Sequence, residues 1–155
     1  MSAVIVLPTD IESTDAKAMI KSLSDELAIL YKTDEAEQAW YINQMQREEG
    51  SCFVVAYLEN HPVGCGMVRR LGSNLGEIKR MYVATEVRGK GVGAKILTEL
   101  ESQARTLGYH ALKLETGIIQ PAAIRLYQKM GYQPCPCYGD YADDPLSVCF
   151  SKRLE

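Results

Sequence analysis

Apolar residues along this 155-residue chain follow two different spacings, and each change of spacing marks a new element. The run AVIVL from Ala3 to Leu7 is short, unbroken and rich in β-branched residues, which predicts a strand. From Ser13 to Tyr31, and again from Asp34 to Arg47, apolar residues return every three or four positions, with Ile20, Leu23, Leu27 and Leu30 on one stripe. Two helices are expected there. CFVVAYL (52–58) and VGCGMVRRL (63–71) are strand patterns joined by Glu59, Asn60, His61 and Pro62, a hairpin signal. GEIKRMYV (76–83) follows closely, so three consecutive strands predict an antiparallel meander.

The second half alternates helix and strand. Ile96, Leu97, Leu100, Ala104 and Leu107 form the inner face of a helix that Gly108 stops, and HALKLETG (110–117) is the strand after it. Pro121 opens a further helix that Gly131 closes, and YQPCPCY (132–138) and LSVCFSKRL (146–154) predict late strands. There is no internal repeat, low-complexity tract or compositional break, so residues 1–155 form one α/β domain large enough for its own core.

Charge narrows the function. Seventeen basic and 20 acidic residues give a net charge of −3, which argues against a nucleic-acid or anionic-membrane surface and leaves room only for a local positive site. The start MSAVIVLPTDIES carries no basic leader and no long apolar run, which predicts a cytoplasmic location. The five cysteines read as reduced thiols, mostly packing. The one close pair, Cys135 and Cys137, lacks a second pair or a nearby histidine, so no metal is expected.

The stretch VRGKGVGAKIL (87–97) places Gly89, Gly91 and Gly93 among basic residues just ahead of a helix. It is not a nucleotide triphosphate loop, because Ala94 stands five residues after Gly89 where the second glycine belongs, and Lys95 is followed by Ile96 rather than Ser or Thr. It is not a dinucleotide fingerprint either, since Ile96 takes the place of the third glycine after Gly91 and Gly93. What remains is R-x-x-G-x-G. Its glycines allow positive φ, so bare N–H groups converge on one anion, and the helix adds its own free donors. A pyrophosphate suits such a nest. A flexible turn with a solvated rim of lysines explains each feature singly but not their joint position at a helix start.

MYVATEVRGKGVGAKIL (81–97) followed by ETGIIQPAAIRLYQKMGY (115–132) resembles the two signature segments of the GNAT family of N-acetyltransferases, in order and at the usual separation. The resemblance runs from about Phe53 to the C-terminus. It implies a mixed, mostly antiparallel sheet of about seven strands and about four helices, with the fourth and fifth strands splayed around acetyl-coenzyme A (acetyl-CoA). Main-chain groups of Arg88, Gly89, Lys90, Gly91, Val92, Gly93 and Ala94 would then wrap the pyrophosphate. Met81, Tyr82 and Val83 would face the pantetheine amides, and Gln120 stands where many relatives have asparagine. Tyr127 matches the tyrosine that protonates the departing thiolate; its helical spacing with Ala123, Ile124 and Met130 fits core packing as well.

The acceptor implied is a small-molecule or peptide amine, and a homodimer is in keeping with the family. An alkylamine of pKa about 10.4 costs about 4.6 kcal/mol to neutralise at pH 7, so a base matters more than an acid. Neither His61 nor His110 sits in a Ser-His-Asp or Cys-His pattern, which favours direct attack over an acyl-enzyme. Glu77 matches the position of the family's catalytic glutamate, with Glu115 as its competitor. Each glutamate also has basic neighbours, Lys79 and Lys113, with which it can simply pair. A non-catalytic acyl-CoA-binding module is the alternative. Tyr138 to Asp144 line the acceptor mouth or form a polar loop.

Overall fold

The computed structural model describes residues 3–34 and 47–155. In chain order the elements are β1 (Ile5–Pro8), α1 (Thr14–Tyr31), β2 (Cys52–Leu58), β3 (His61–Gly72), β4 (Leu75–Val83), α2 (Val92–Thr106), β5 (Ala111–Gly117), α3 (Pro121–Lys129), β6 (Gln133–Cys135) and β7 (Ser147–Arg153). Three helices stand among the described residues, against about four expected. The helix expected over Asp34 to Arg47 lies, but for its two ends, outside them.

One seven-stranded sheet runs in the order β1-β2-β3-β4-β5-β7-β6. The meander is present, with β2, β3 and β4 antiparallel neighbours, and β4 with β5 is the parallel pair. The β2–β3 turn is tight because Glu59 and Asn60 both adopt positive φ, 51° and 68°, the backbone that matches the twist of a two-residue hairpin.

The unbroken apolar character of CFVVAYL has a simple cause: β2 is buried on both faces. Val54 and Ala56 join the layer formed by Ile96, Leu97 and Leu100 of α2, whereas Phe53 and Val55 face Ala16, Met19 and Ile20 of α1. On β3, a Cβ at Gly66 would stand 2.7 Å from a Leu100 methyl, so α2 lies directly on the strand, and the loop before it is anchored to the sheet. Helix α1 begins where the Ser13 hydroxyl accepts the Ala16 N–H at 3.2 Å and ends at Lys32 in the left-handed region. Its expected stripe is buried only in part. Ile20 and Leu23 are inside, but Leu30 is 40% exposed, because the last turn meets polar strand-end groups through Tyr31 instead of an apolar layer.

The cysteine expectation needs correction. Cys137 and Cys149, with Cα atoms 5.1 Å apart, form a disulfide, while Cys52, Cys65 and Cys135 are free. Antiparallel pairing of Cys135 with Cys149 carries Cys137 past the same residue, a proximity that linear spacing does not reveal. No helix among the described residues is long and apolar enough to cross a membrane.

Candidate active site

Strands β4 and β5 pair only from Leu75 with Ala111 to Ile78 with Leu114, and beyond that point they part. The cause is local. Arg80 and Met81 of β4 face the single residue Gly66 of β3, and Arg80 takes φ 59°, a bulge that bends β4 away from its parallel neighbour. Pairing with β3 resumes at Tyr82 and Val83. The Ala84 N–H donates to Val63 O at 2.8 Å, and the Tyr82 carbonyl oxygen lies 2.7 Å from where a Gly64 Cβ would stand, so both residues turn their backbone toward β3. By strand alternation, Met81 and Val83 turn theirs to the gap. Of the three residues expected there, Tyr82 is spent on the ladder.

The glycine loop closes one end of this gap. Gly89 and Gly91 take φ 79° and 82° with open space beside them, and Gly91 is the N-cap of α2 without any side chain to satisfy the helix. The first bond of the helix runs from the Lys95 N–H to Gly91 O at 3.2 Å, which leaves the Val92, Gly93 and Ala94 N–H groups pointing out of its positive end. Two expectations change. Gly93 does not use positive φ; it lies in the first helical turn, where a Cβ would stand 2.9 Å from a Leu126 methyl, so it is small to let α3 approach. Arg88 does not face the nest. Its Nε donates to Val83 O at 2.8 Å, its other nitrogen to Glu26 of α1, and its N–H to Thr85 O, so it clamps the loop base to β4 and α1. Lys90 and Lys95 are exposed on the rim.

On the α1 side of the parted strands sits a polar cluster. Glu77 and Lys113 are register partners on β4 and β5, so alternation places Lys79 and Glu115 on the same face, opposite the core residues Ile78 and Leu114. Glu77 is 3% exposed, and both of its oxygens are taken: Arg69 donates to one at 3.1 Å and the Tyr138 hydroxyl to the other at 2.7 Å. Its ion pair is therefore with Arg69 rather than with Lys79 or Lys113. Glu115 is half-buried, and among the described residues only its Oε2 is bonded, to the Ser147 hydroxyl at 2.7 Å. Burial pushes its carboxyl up from the usual range and the Asp144 and Glu77 charges add to the shift, while the Ser147 bond and Lys79 oppose it. The polar loop reaches this cluster, since Tyr138 and Tyr141 stack edge to face with ring centroids 5.7 Å apart.

Tyr127 enters from the core side. Its ring packs on Tyr132 and Phe150 at 5.9 and 6.3 Å, and its phenol pKa is raised by burial and by the Glu115 charge. Gln120 is the N-cap residue of α3 but makes no side-chain cap; its amide donates to the Tyr31 hydroxyl at 2.8 Å. Tyr31 is the participant the pattern missed. Its hydroxyl lies against Gly117, where β5 ends, so a Cβ there would collide with it. Gly117→Ala is expected to lower stability by about 1–3 kcal/mol through overpacking, and Tyr31→Phe in the same chain to restore part of it, as read by thermal unfolding of the single and double variants.

Residues 17–132 match the model of the GNAT acetyltransferase family. The chain belongs to this family. The curated protein "IAA acetyltransferase" of Azospirillum brasilense is 40% identical over 66% of this chain and 67% of its own length. A Klebsiella pneumoniae structure described as an acyl-CoA N-acyltransferase is 31% identical, covers 98% of both chains and has a TM-score of 0.82. A GNAT acetyltransferase from Elizabethkingia anophelis, solved with acetyl-CoA bound, shares the fold at a TM-score of 0.71 and 18% identity over 97% of this chain and 98% of its own. In this GNAT chain the strands part just ahead of the glycine loop and the open N–H groups at the start of α2.

Proposed function

We propose that this GNAT protein transfers the acetyl group of acetyl-CoA to a primary amine by direct attack. The observation that carries the reading is the parting of β4 from β5 immediately beside the open N–H groups at the start of α2. The pyrophosphate lies on the N–H groups from Gly89 to Ala94, and the pantetheine amides run along Met81 and Val83. The thioester then reaches the level of Tyr127 and Glu115.

There the amine nitrogen forms its bond to the acetyl carbon as the carbon–sulfur bond breaks. Before attack, Glu115 takes the proton that separates the ammonium from the nucleophilic amine, directly or through one water; the proton the nitrogen sheds after attack replaces the one that the Tyr127 hydroxyl gives to the thiolate. Glu115 suits the base role better than Glu77, because burial raises its proton affinity and one oxygen is unbonded among the described residues, whereas both oxygens of Glu77 are already bonded, to Arg69 and to Tyr138. We assign Glu77 to positioning, through Tyr138 and its loop. Every group named comes from one chain.

A thiol of pKa about 8.5 departs tolerably well unaided, so Tyr127→Phe is expected to lower kcat by roughly 10²-fold at most while coenzyme affinity holds. Steady-state kinetics beside a melting curve check this; an unchanged kcat with a shifted melting temperature assigns Tyr127 to packing. The binding step is tested by titration calorimetry with acetyl-CoA, coenzyme A and ATP. Heat with both coenzyme A species and none with ATP is expected, and no heat with either coenzyme A species overturns the reading.

A further inference from the structure

We propose that Lys79 and Lys113, with Tyr138 and Tyr141 behind them, form a subsite for a carboxylate on the acceptor, so that the amine acetylated belongs to a small amino carboxylate. The proposal rests on the acetyltransferase reading above and names the substrate class of that site.

Glu77 is satisfied by Arg69 and Tyr138, and Glu115 by Ser147. Arg69 is shared between Glu48 and Glu77. Asp144 contributes charge near Glu115 but accepts the Leu146 N–H with Oδ1 at 2.9 Å. None of these acids bonds a lysine directly, although the Lys79 charge acts on Glu115 from a distance. Lys79 and Lys113 are both half-buried, and neither forms an ion pair among the described residues. What they touch is aromatic. The Lys79 ammonium donates to the Tyr141 hydroxyl at 3.2 Å and lies 5.8 Å from that ring's centroid, and the Lys113 ammonium lies 5.6 Å from the centroid of Tyr138.

The two rings are packed against each other, and Lys113 pairs in register with Glu77, two residues before Lys79, so the two ammonium groups belong to one aromatic-backed patch of the same sheet face. Ammonium groups without a counter-anion in a half-buried setting lose solvation that an anionic ligand restores. The disulfide from Cys137 to Cys149 fixes the start of the loop that carries both tyrosines, so the subsite is held on a rigid element. Lys113 stands two residues before Glu115 on the same face of β5, a spacing of about 7 Å. A carboxylate on the lysines and an amine giving its proton to Glu115 therefore fit within one small molecule.

The test pairs α-, β- and γ-amino acids with their own carboxamides as acceptors in a coenzyme A thiol-release assay. Amino acids are expected to exceed their carboxamides in kcat/KM by roughly 10- to 100-fold, the scale of one or two charge-assisted bonds. Lys79→Met and Lys113→Met should each shrink that ratio, mainly through KM, and Lys79→Arg and Lys113→Arg should recover part of it. Equal use of amino acids and carboxamides, or a ratio that survives both methionine substitutions, overturns the subsite and leaves acetyl transfer standing. If coenzyme A binds and no amine is acetylated, the transfer reading falls. The subsite is then judged by titrating N-acetylated amino acids against N-acetylated carboxamides, and equal or absent binding overturns it as well.

Discussion

Glu115→Gln is expected to lower kcat at neutral pH by about 10²- to 10³-fold, the largest effect of any single side chain in this site. Neutralising an alkylamine at pH 7 costs about 4.6 kcal/mol, and the substitution removes the proton acceptor while keeping size and hydrogen-bonding capacity. In the unsubstituted enzyme the acidic limb of the rate profile falls as Glu115 takes up a proton, above the usual carboxylate range because burial raises its pKa. In the variant that limb moves to higher pH, where the amine sheds its proton unaided.

Stability moves the other way. A carboxyl whose pKa is raised by folding contributes stability below its unfolded value and loses it as pH rises through the folded one. Glu115→Gln is therefore expected to hold or raise the melting temperature at neutral pH. Glu77→Gln, which breaks the ion pair with Arg69 at a buried position, should lower stability by about 1–3 kcal/mol. If Glu77→Gln shifts the pH limb and Glu115→Gln does not, the base lies on β4.

Gly91→Val carries the second large effect. Its φ of 82° is closed to a β-branched side chain at a cost of about 1–2 kcal/mol, and relief of that strain rotates the N–H groups of the nest out of line. The dissociation constant for coenzyme A is expected to rise by about 10²-fold, as two charge-assisted bonds weaken, while dephosphorylated pantetheine changes little. Gly93→Ala is the control for the same loop. Its new methyl meets only the end of Leu126, so a small effect is expected. Calorimetric titration of both ligands into both variants reads this directly, and equal weakening of coenzyme A and pantetheine would place the pyrophosphate elsewhere.

The strands, α2 and α3 were legible because each carries its own punctuation. Pro121 opens α3, Gly108 and Gly131 with φ 91° follow α2 and α3, and a two-residue turn joins β2 to β3. The splay was legible only through family resemblance, since its physical cause, the bulge at Arg80, depends on how β4 pairs with β3. Side-chain partners were the least legible. Arg88 is read from the family resemblance as a main-chain contributor to the nest, yet its N–H goes to Thr85 O, and Glu26, 62 residues away, binds its guanidinium. Glu77 reads as a neighbour of Lys79 and Lys113, yet Arg69 across β3 takes it. The Cys137–Cys149 bond and the contact of Tyr31 with Gly117 likewise join segments that only the sheet order brings together.

The central claim, that the site delivers acetyl-CoA to an amine, is tested most directly by an acceptor screen that measures thiol release and identifies the products by mass spectrometry. The account predicts one N-acetylated amine formed for each thiol released, with both lost together in Glu115→Gln. Tight coenzyme A binding with no acetylated product from any amine would contradict it.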